Sequence, residues 1–196
     1  MNSDILSVVV DGNEVFDFVN YALNFESAID IEFRNCEILN DDILKLVNNR
    51  EYNRIGFVDC VFKNVELLKY LKTKSLSISS CEIDNYDFIY DMNNLISLTI
   101  IDGKIDACKI NFLEDLEYLR ISNSIVENIN DLILNKLKYL FIDNTNIDDV
   151  SFVQKLSKLE LLSVSEDQIL KNEEMINKLK NNIKIILDSI IEMEVF

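Results

Sequence analysis

The chain has 196 residues, 48% of them apolar, and its 35 acidic and 19 basic side chains give a formal net charge of -16. That apolar share excludes a disordered polyelectrolyte, and the charge disfavours nucleic acid, whose phosphates are bound by Lys and Arg. Histidine is absent, which excludes Ser-His and Cys-His nucleophile pairs and the usual His-containing zinc sites.

From the N-terminus, "MNSDILSVVVDGNEV" lacks a positive n-region and a small-residue cleavage site, so it does not read as a secretory signal. No apolar run approaches the ~20 residues that span a bilayer. A cytoplasmic, monomeric protein is the expectation. The first segments, "NEVFDFVNYALNF" (13–25) and "NDDILKLVNNREY" (40–52), place apolar residues at helical spacing. From Ile105 onward the comparable segments are shorter and rich in Asn and Asp, which predicts 3₁₀ or irregular structure. "LKNEEMINKLKN" (170–181) reads as a last helix, and "IKIILDSIIEMEVF" (183–196) as a final strand and tail, so that 170–196 form a terminal cap.

Between these segments lies an internal repeat. An apolar index residue recurs at Val8, Ile31, Ile55, Leu76, Leu98, Leu119, Leu140 and Leu162, at intervals of 21 to 24 residues. Two positions later stand Val10, Phe33, Phe57, Ile78, Ile100, Ile121, Ile142 and Val164. Seven positions after the index stand Val15, Ile38, Phe62, Ile83, Ile105, Val126, Ile147 and Ile169. Every one of these positions is apolar, where composition alone would make about half of them so. The alternation predicts a short strand with one buried face, then a turn and a return segment. A single unit cannot bury its own face, so successive units must stack and share a core. The expectation is one domain over 1–196, an α/β solenoid of about eight repeats. Its curved parallel β-sheet lies on the concave face. Short α-helices lie on the convex face in the N-terminal half and 3₁₀ or irregular segments in the C-terminal half.

The copies "LEYLRISNSIVENINDLILNK" and "LKYLFIDNTNIDDVSFVQKLSK" follow an L-x-x-L-x-L-x-x-N-x-I pattern. In this the chain, over roughly residues 5–170, resembles leucine-rich-repeat proteins with short repeats, the bacterial internalin type and related intracellular members. The resemblance implies the solenoid and is nearly silent on function. Two departures stand out. The return segments carry no proline, and Phe152 takes the comparable place. The family's asparagine column reads Asn13, Cys36, Cys60, Cys81, Gly103, Ser124, Thr145 and Asp167. Cys36, Cys60 and Cys81 should stack about 4.8 Å apart as buried structural thiols, and Cys108 lies off this column.

The acidic run at 143–149 has the flavour of a calcium loop. Counting from Asp143, however, the alternate positions are Thr145 and Ile147, and Asp148 stands where such a loop needs glycine. It reads as a repeat turn, with Asp148 and Asp149 accepting backbone N–H bonds at the start of the return. The three glycines are scattered and form no phosphate loop. No catalytic residue, cofactor or metal ligand is assigned, and the chain is read as a non-enzyme.

Solenoids present function on their sheet face. The strand positions that point away from the core bring Tyr118, Arg120, Tyr139 and Phe141 onto adjacent strands beside Ile101 and Leu161. Asp143 and Arg54 lie on the same face. Aromatics with arginine are what binding hot spots are made of. The leading reading is a protein-binding module that uses its concave sheet. A basic partner is electrostatically easier, although high charge also serves solubility alone. One alternative is an acidic inhibitor or immunity-type protein, including a nucleic-acid mimic, that blocks a basic enzyme surface. Another is a secreted adhesin whose signal lay upstream.

Overall fold

The computed structural model describes residues 6–12, 29–49 and 51–187. The expected helix at 13–25, with Asn13 and Val15, and the tail 188–196 of the expected cap lie outside them.

Each apolar alternation forms a strand. β1 (Leu6–Asp11), β2 (Ile29–Arg34), β4 (Tyr52–Val58), β6 (Thr73–Ser79), β7 (Ser97–Ile101), β9 (Tyr118–Ser122), β11 (Tyr139–Phe141), β12 (Leu161–Val164) and β13 (Lys184–Leu187) make one curved parallel sheet. The register is the predicted one from Val8 to Leu162, and a ninth rung adds Ile185. Val8 pairs with Ile31, Ile31 with Ile55, and the row continues through Leu76, Leu98, Leu119, Leu140 and Leu162 to Ile185. Buried side chains from Val10 to Leu179 form a continuous core along the solenoid. The Phe33 and Phe57 rings stack at 5.4 Å between two rungs.

Short second strands follow the turns. β3 (Glu37–Ile38) pairs with β5 (Val61–Phe62), and β8 (Lys104–Asp106) with β10 (Ile125–Glu127). The returns then differ with repeat length. The 24-residue interval from Ile31 to Ile55 accommodates helix α1 (Asn40–Asn49), with Asp41 and Asp42 in its first turn and Ile43 and Leu46 in the core. Intervals of 21 or 22 residues hold 3₁₀ turns at Val65–Tyr70, Asp87–Asp91, Ile129–Asp131 and Ser151–Lys155. The change from α to 3₁₀ therefore comes earlier than the expected midpoint, and a single α turn, α2 (Ala107–Ile110), interrupts the later series. The reason is reach: a 3₁₀ helix rises about 2.0 Å per residue against about 1.5 Å for an α-helix, so it crosses the same convex span with fewer residues. At the end, α3 (Glu166–Lys171) and α4 (Glu173–Leu179) precede β13.

Every strand of the large sheet from β1 to β11 ends the same way. The residue four after the index is left-handed: Gly12, Asn35, Asp59, Ser80, Asp102, Asn123 and Asn144, with φ between 50° and 72°. Asn, Asp and Gly tolerate this region best. In the first six, the backbone N–H donates to a carbonyl of the next rung, from Gly12 N to Arg34 O at 2.9 Å through to Asn123 N to Asp143 O at 3.2 Å. This column was missed in the periodicity because it is polar, although its composition was in plain view.

Behind the turns runs the expected ladder of small residues. Cys36 Sγ donates to Gly12 O and Arg34 O at 2.9 and 3.0 Å, and Cys60 N donates to Cys81 Sγ at 3.4 Å. Gly103 N donates to Ser124 Oγ at 3.0 Å, and that hydroxyl donates to Ser122 O at 2.7 Å. At Gly103 the rung has no side chain because Tyr86 fills the space: a Cβ there would lie 2.5 Å from Ile100 Cγ2 and 3.0 Å from the Tyr86 oxygen. The last rung uses Gln168 rather than the expected Asp167; its Nε2 donates to Ile142 O, Thr145 Oγ1 and Ile147 O, each at 3.1 Å. On the convex side, asparagines clasp the neighbouring backbone through both amide atoms. Asn111 binds Asp131 O and Ile133 N at 2.7 Å, Asn146 binds the N and O of Val126, and Asn172 binds Asp148 O and Val150 N.

Asn123→Val should lower stability by about 1–2 kcal/mol in urea titrations, because a β-branched residue resists the left-handed region, while Asn123→Gly should leave the midpoint nearly unchanged. Gly103→Ala should cost about 1–3 kcal/mol through the clash with Ile100 and Tyr86. Tyr86→Phe should be neutral or stabilising by up to about 1 kcal/mol, since the buried Tyr86 hydroxyl has no hydrogen-bond partner among the described residues.

Candidate protein-binding face

The positions one before, one after and three after each index point away from the core and build the concave face in three zones. In the first, the Glu32 carboxylate meets Arg34 at 2.5 Å and Arg54 at 3.8 Å. Glu32 lies across the bare backbone of Gly56, where a Cβ would come within 3.2 Å of its Cγ. Asp30 accepts from Asn53 Nδ2 at 2.8 Å, and Asp11 accepts from Asn35 Nδ2 at 3.0 Å. The second zone is a floor of small hydroxyl residues: Ser75, Ser77 and Ser79 on β6, paired with Ser97, Thr99 and Ile101 on β7. All six are half-buried.

The third zone is the aromatic cluster. Tyr118 pairs with Tyr139 and Tyr139 with Leu161, while Arg120 pairs with Phe141 and Phe141 with Ser163. The Tyr118 ring centroid lies 5.1 Å from that of Phe141 and 6.4 Å from that of Tyr139. The Arg120 guanidinium sits 5.8 Å over the Phe141 ring, a cation–π arrangement. Burial raises the pKa of the Tyr118 phenol, and the nearby Arg120 charge offsets part of the rise. Arg54 contributes a smaller pull on the same phenol from across the serine floor. Ile101 pairs with Ser122 at the edge of this zone.

Two predicted contact residues prove to be support instead. Phe141 is only 8% exposed, because Tyr118 and Arg120 cover it. Asp143 is 0% exposed. Ser163 donates to Asp143 Oδ1 at 3.1 Å, and Arg120 stands 3.9 Å from Oδ2, which accepts no hydrogen bond among the described residues. Arg120 Nε is also held by Ser122 Oγ at 3.0 Å. A buried carboxylate thus fixes the arginine that lids the phenylalanine, and alternation along the strand could not distinguish facing outward from being covered. Tyr139, at 38% exposed, and the half-buried Tyr118, Arg120, Ile101, Leu161 and Arg54 form the accessible face.

The acidic run behaves as a turn. Ile147 is buried, Asp148 pairs with Lys171 at 2.6 Å, and Asp149 Oδ1 accepts the Ser151 N–H at 2.8 Å. Among the described residues, no three Cys, Asp or Glu side chains converge as metal ligands would. Also among them, no helix is long and apolar enough to cross a membrane.

No family model and no curated protein matches the sequence. Solved structures do match. The internalin C2 (inlC2) of Listeria monocytogenes str. 4b F2365 superimposes with a TM-score of 0.61 at 21% identity, over 93% of this chain and 77% of that one. The internalin inlF of the same strain gives 0.53 at 18% identity, over 90% of this chain and 65% of that one. The fold is a leucine-rich-repeat solenoid. The chain spans about two thirds of the length of inlF, and likeness at this identity speaks to the fold alone. Within the leucine-rich-repeat frame, the aromatic zone sits on the rungs of the two copies that carry the motif most clearly, at Leu119 and Leu140.

Asp143→Ala should lower stability by about 1–3 kcal/mol, because it removes the buried carboxylate that faces Arg120 and leaves the buried Ser163 hydroxyl without its acceptor. Tyr139→Ala, at a partly exposed position, should stay within about 1 kcal/mol of the unaltered protein. Chemical denaturation of the two variants checks both values.

Proposed function

We propose that this leucine-rich-repeat chain is a non-enzymatic interaction module that binds a protein partner through its concave sheet, acting in the cytoplasm as a monomer. The observation that carries the reading is the preassembled cluster of Tyr118, Tyr139 and Arg120, seated on Phe141 and a buried Asp143. Such a surface needs little ordering when a partner arrives, which is where rigid binding faces gain affinity. Tyr and Arg on a packed base also have the composition of interface hot spots.

The electrostatics of the face favour contact chemistry over charge. Arg34, Arg54 and Arg120 each face a carboxylate of the protein itself, and Asp11 and Asp30 accept amide hydrogen bonds. Most of the surplus negative charge therefore lies off the concave face. A partner would meet aromatic rings and hydroxyls in the middle and an acidic rim outside, which suits an apolar element flanked by basic residues.

Affinity capture from the native host supplies the partner, and variants then test the face. Tyr139→Ala and Tyr118→Ala should each weaken binding about tenfold or more without unfolding the protein. Unchanged affinity in both would remove the concave patch from the interface. Dissociation should respond weakly to salt, whereas a steep loss of affinity between low and physiological salt would favour the acidic-inhibitor reading.

A further inference from the structure

The thiol ladder presents a site that the binding function does not use. Cys60 and Cys81 occupy the same position of consecutive repeats, two residues beyond the paired Val58 and Ser79. In-register neighbours on parallel strands stand about 4.8 Å apart at Cα, inside the range that a disulfide spans. Both are free, buried thiols, Cys60 1% and Cys81 7% exposed, and the Cys60 N–H already donates to Cys81 Sγ at 3.4 Å. The two differ from Cys36, whose sulfur is held against Gly12 O at 2.9 Å and Arg34 O at 3.0 Å. Cys60 Sγ reaches its carbonyls, Phe33 O and Val58 O, only at 3.4 Å, and Cys81 Sγ reaches Ser79 O at 3.3 Å. Beyond Cys81 the ladder has no side chain at Gly103, and the Tyr86 oxygen that fills the gap is buried with no hydrogen-bond partner among the described residues. Cys81 therefore has one thiol neighbour on the ladder. The pair also lies one residue behind Asp59 and Ser80, the left-handed residues of two surface turns.

We propose that Cys60 and Cys81 form an oxidation site, at which a hydroperoxide converts the thiol pair to a disulfide joining two consecutive repeats. The Cys60 thiolate attacks the peroxide oxygen, the O–O bond breaks, and the departing alkoxide or hydroxide takes up a proton. Cys60 is left as the sulfenic acid. Cys81 sulfur then attacks Cys60 sulfur, its proton and the sulfenic hydroxyl leave as water, and the S–S bond forms. The peroxide is reduced and the two thiols are oxidised. The order of events follows from the sulfurs' surroundings. Hydrogen bonding from Cys81 draws the Cys60 thiol down to about 7, while burial pushes Cys36 up to about 11. Acting as the donor to Cys60, together with burial, raises Cys81. Cys60 is thus the attacking sulfur and Cys81 the resolving one.

The test exposes the folded protein to hydrogen peroxide, blocks the remaining thiols by alkylation and maps tryptic peptides by mass spectrometry. The expected product is a cross-link between the peptides that contain Cys60 and Cys81. Cys81→Ser should fold, since Ser124 makes the same ladder contacts with a hydroxyl. It should lose the cross-link completely and let Cys60 accumulate as a sulfenic acid trapped by a cyclic dione. Cys108, which is exposed, serves as the internal control. Cys60 and Cys81 both remaining reduced after Cys108 is fully oxidised would overturn the proposal, as would a cross-link from Cys60 to Cys36.

Discussion

Every feature of this chain depends on one geometric requirement: each repeat must bring the backbone back displaced by one strand spacing. The left-handed residue at the end of each strand meets it. It turns the chain off the sheet at the same point on rungs β1 to β11, and in the first six its N–H bonds to the following rung. Because the corner is fixed, the index row runs unbroken from Val8 to Ile185. The variable part of each repeat is then confined to the return. There the chain chooses α or 3₁₀ according to the residues left to cross the convex side.

That discipline also makes the concave patch. Residues 21 or 22 apart in sequence become lateral neighbours, so Tyr118, Tyr139 and Leu161 form one row and Arg120, Phe141 and Ser163 the next. These two rows suffice to stack rings and lay a guanidinium over one of them, and the following row brings the Asp143 carboxylate to the same arginine. The chemistry of the face is produced by the repeat and interrupted by composition: hydroxyls in the middle, rings near the C-terminal end, ion pairs near the N-terminal end.

The sequence revealed rows better than depth. Apolar periodicity located the strands, their register and the members of the aromatic cluster, because those follow from spacing. It placed Phe141 and Asp143 on the correct face yet exposed, since spacing does not register that Arg120 and Tyr118 lie over them. The left-handed column went unnoticed for the opposite reason: its signal is a preference for Asn, Asp, Ser and Gly rather than for apolar residues. Gly103 could not be understood alone, because the Tyr86 ring that requires it comes from an earlier part of the chain. Gln168 displaced Asp167 from the ladder because its longer amide reaches three acceptors at once.

The asparagine clasps on the convex side have a mechanical meaning. Each joins a donor and an acceptor of one repeat to a single side chain of an adjacent repeat, so the later repeats are fastened along their backs as well as through the sheet. A curved array flexes by letting its outer margin spread, and here the margin from Asn111 to Asn172 is stitched. The aromatic rungs therefore ride on a stretch of the arc that is fastened along its back. A partner that had to bend this protein at the rings would have to part these clasps as well as the sheet.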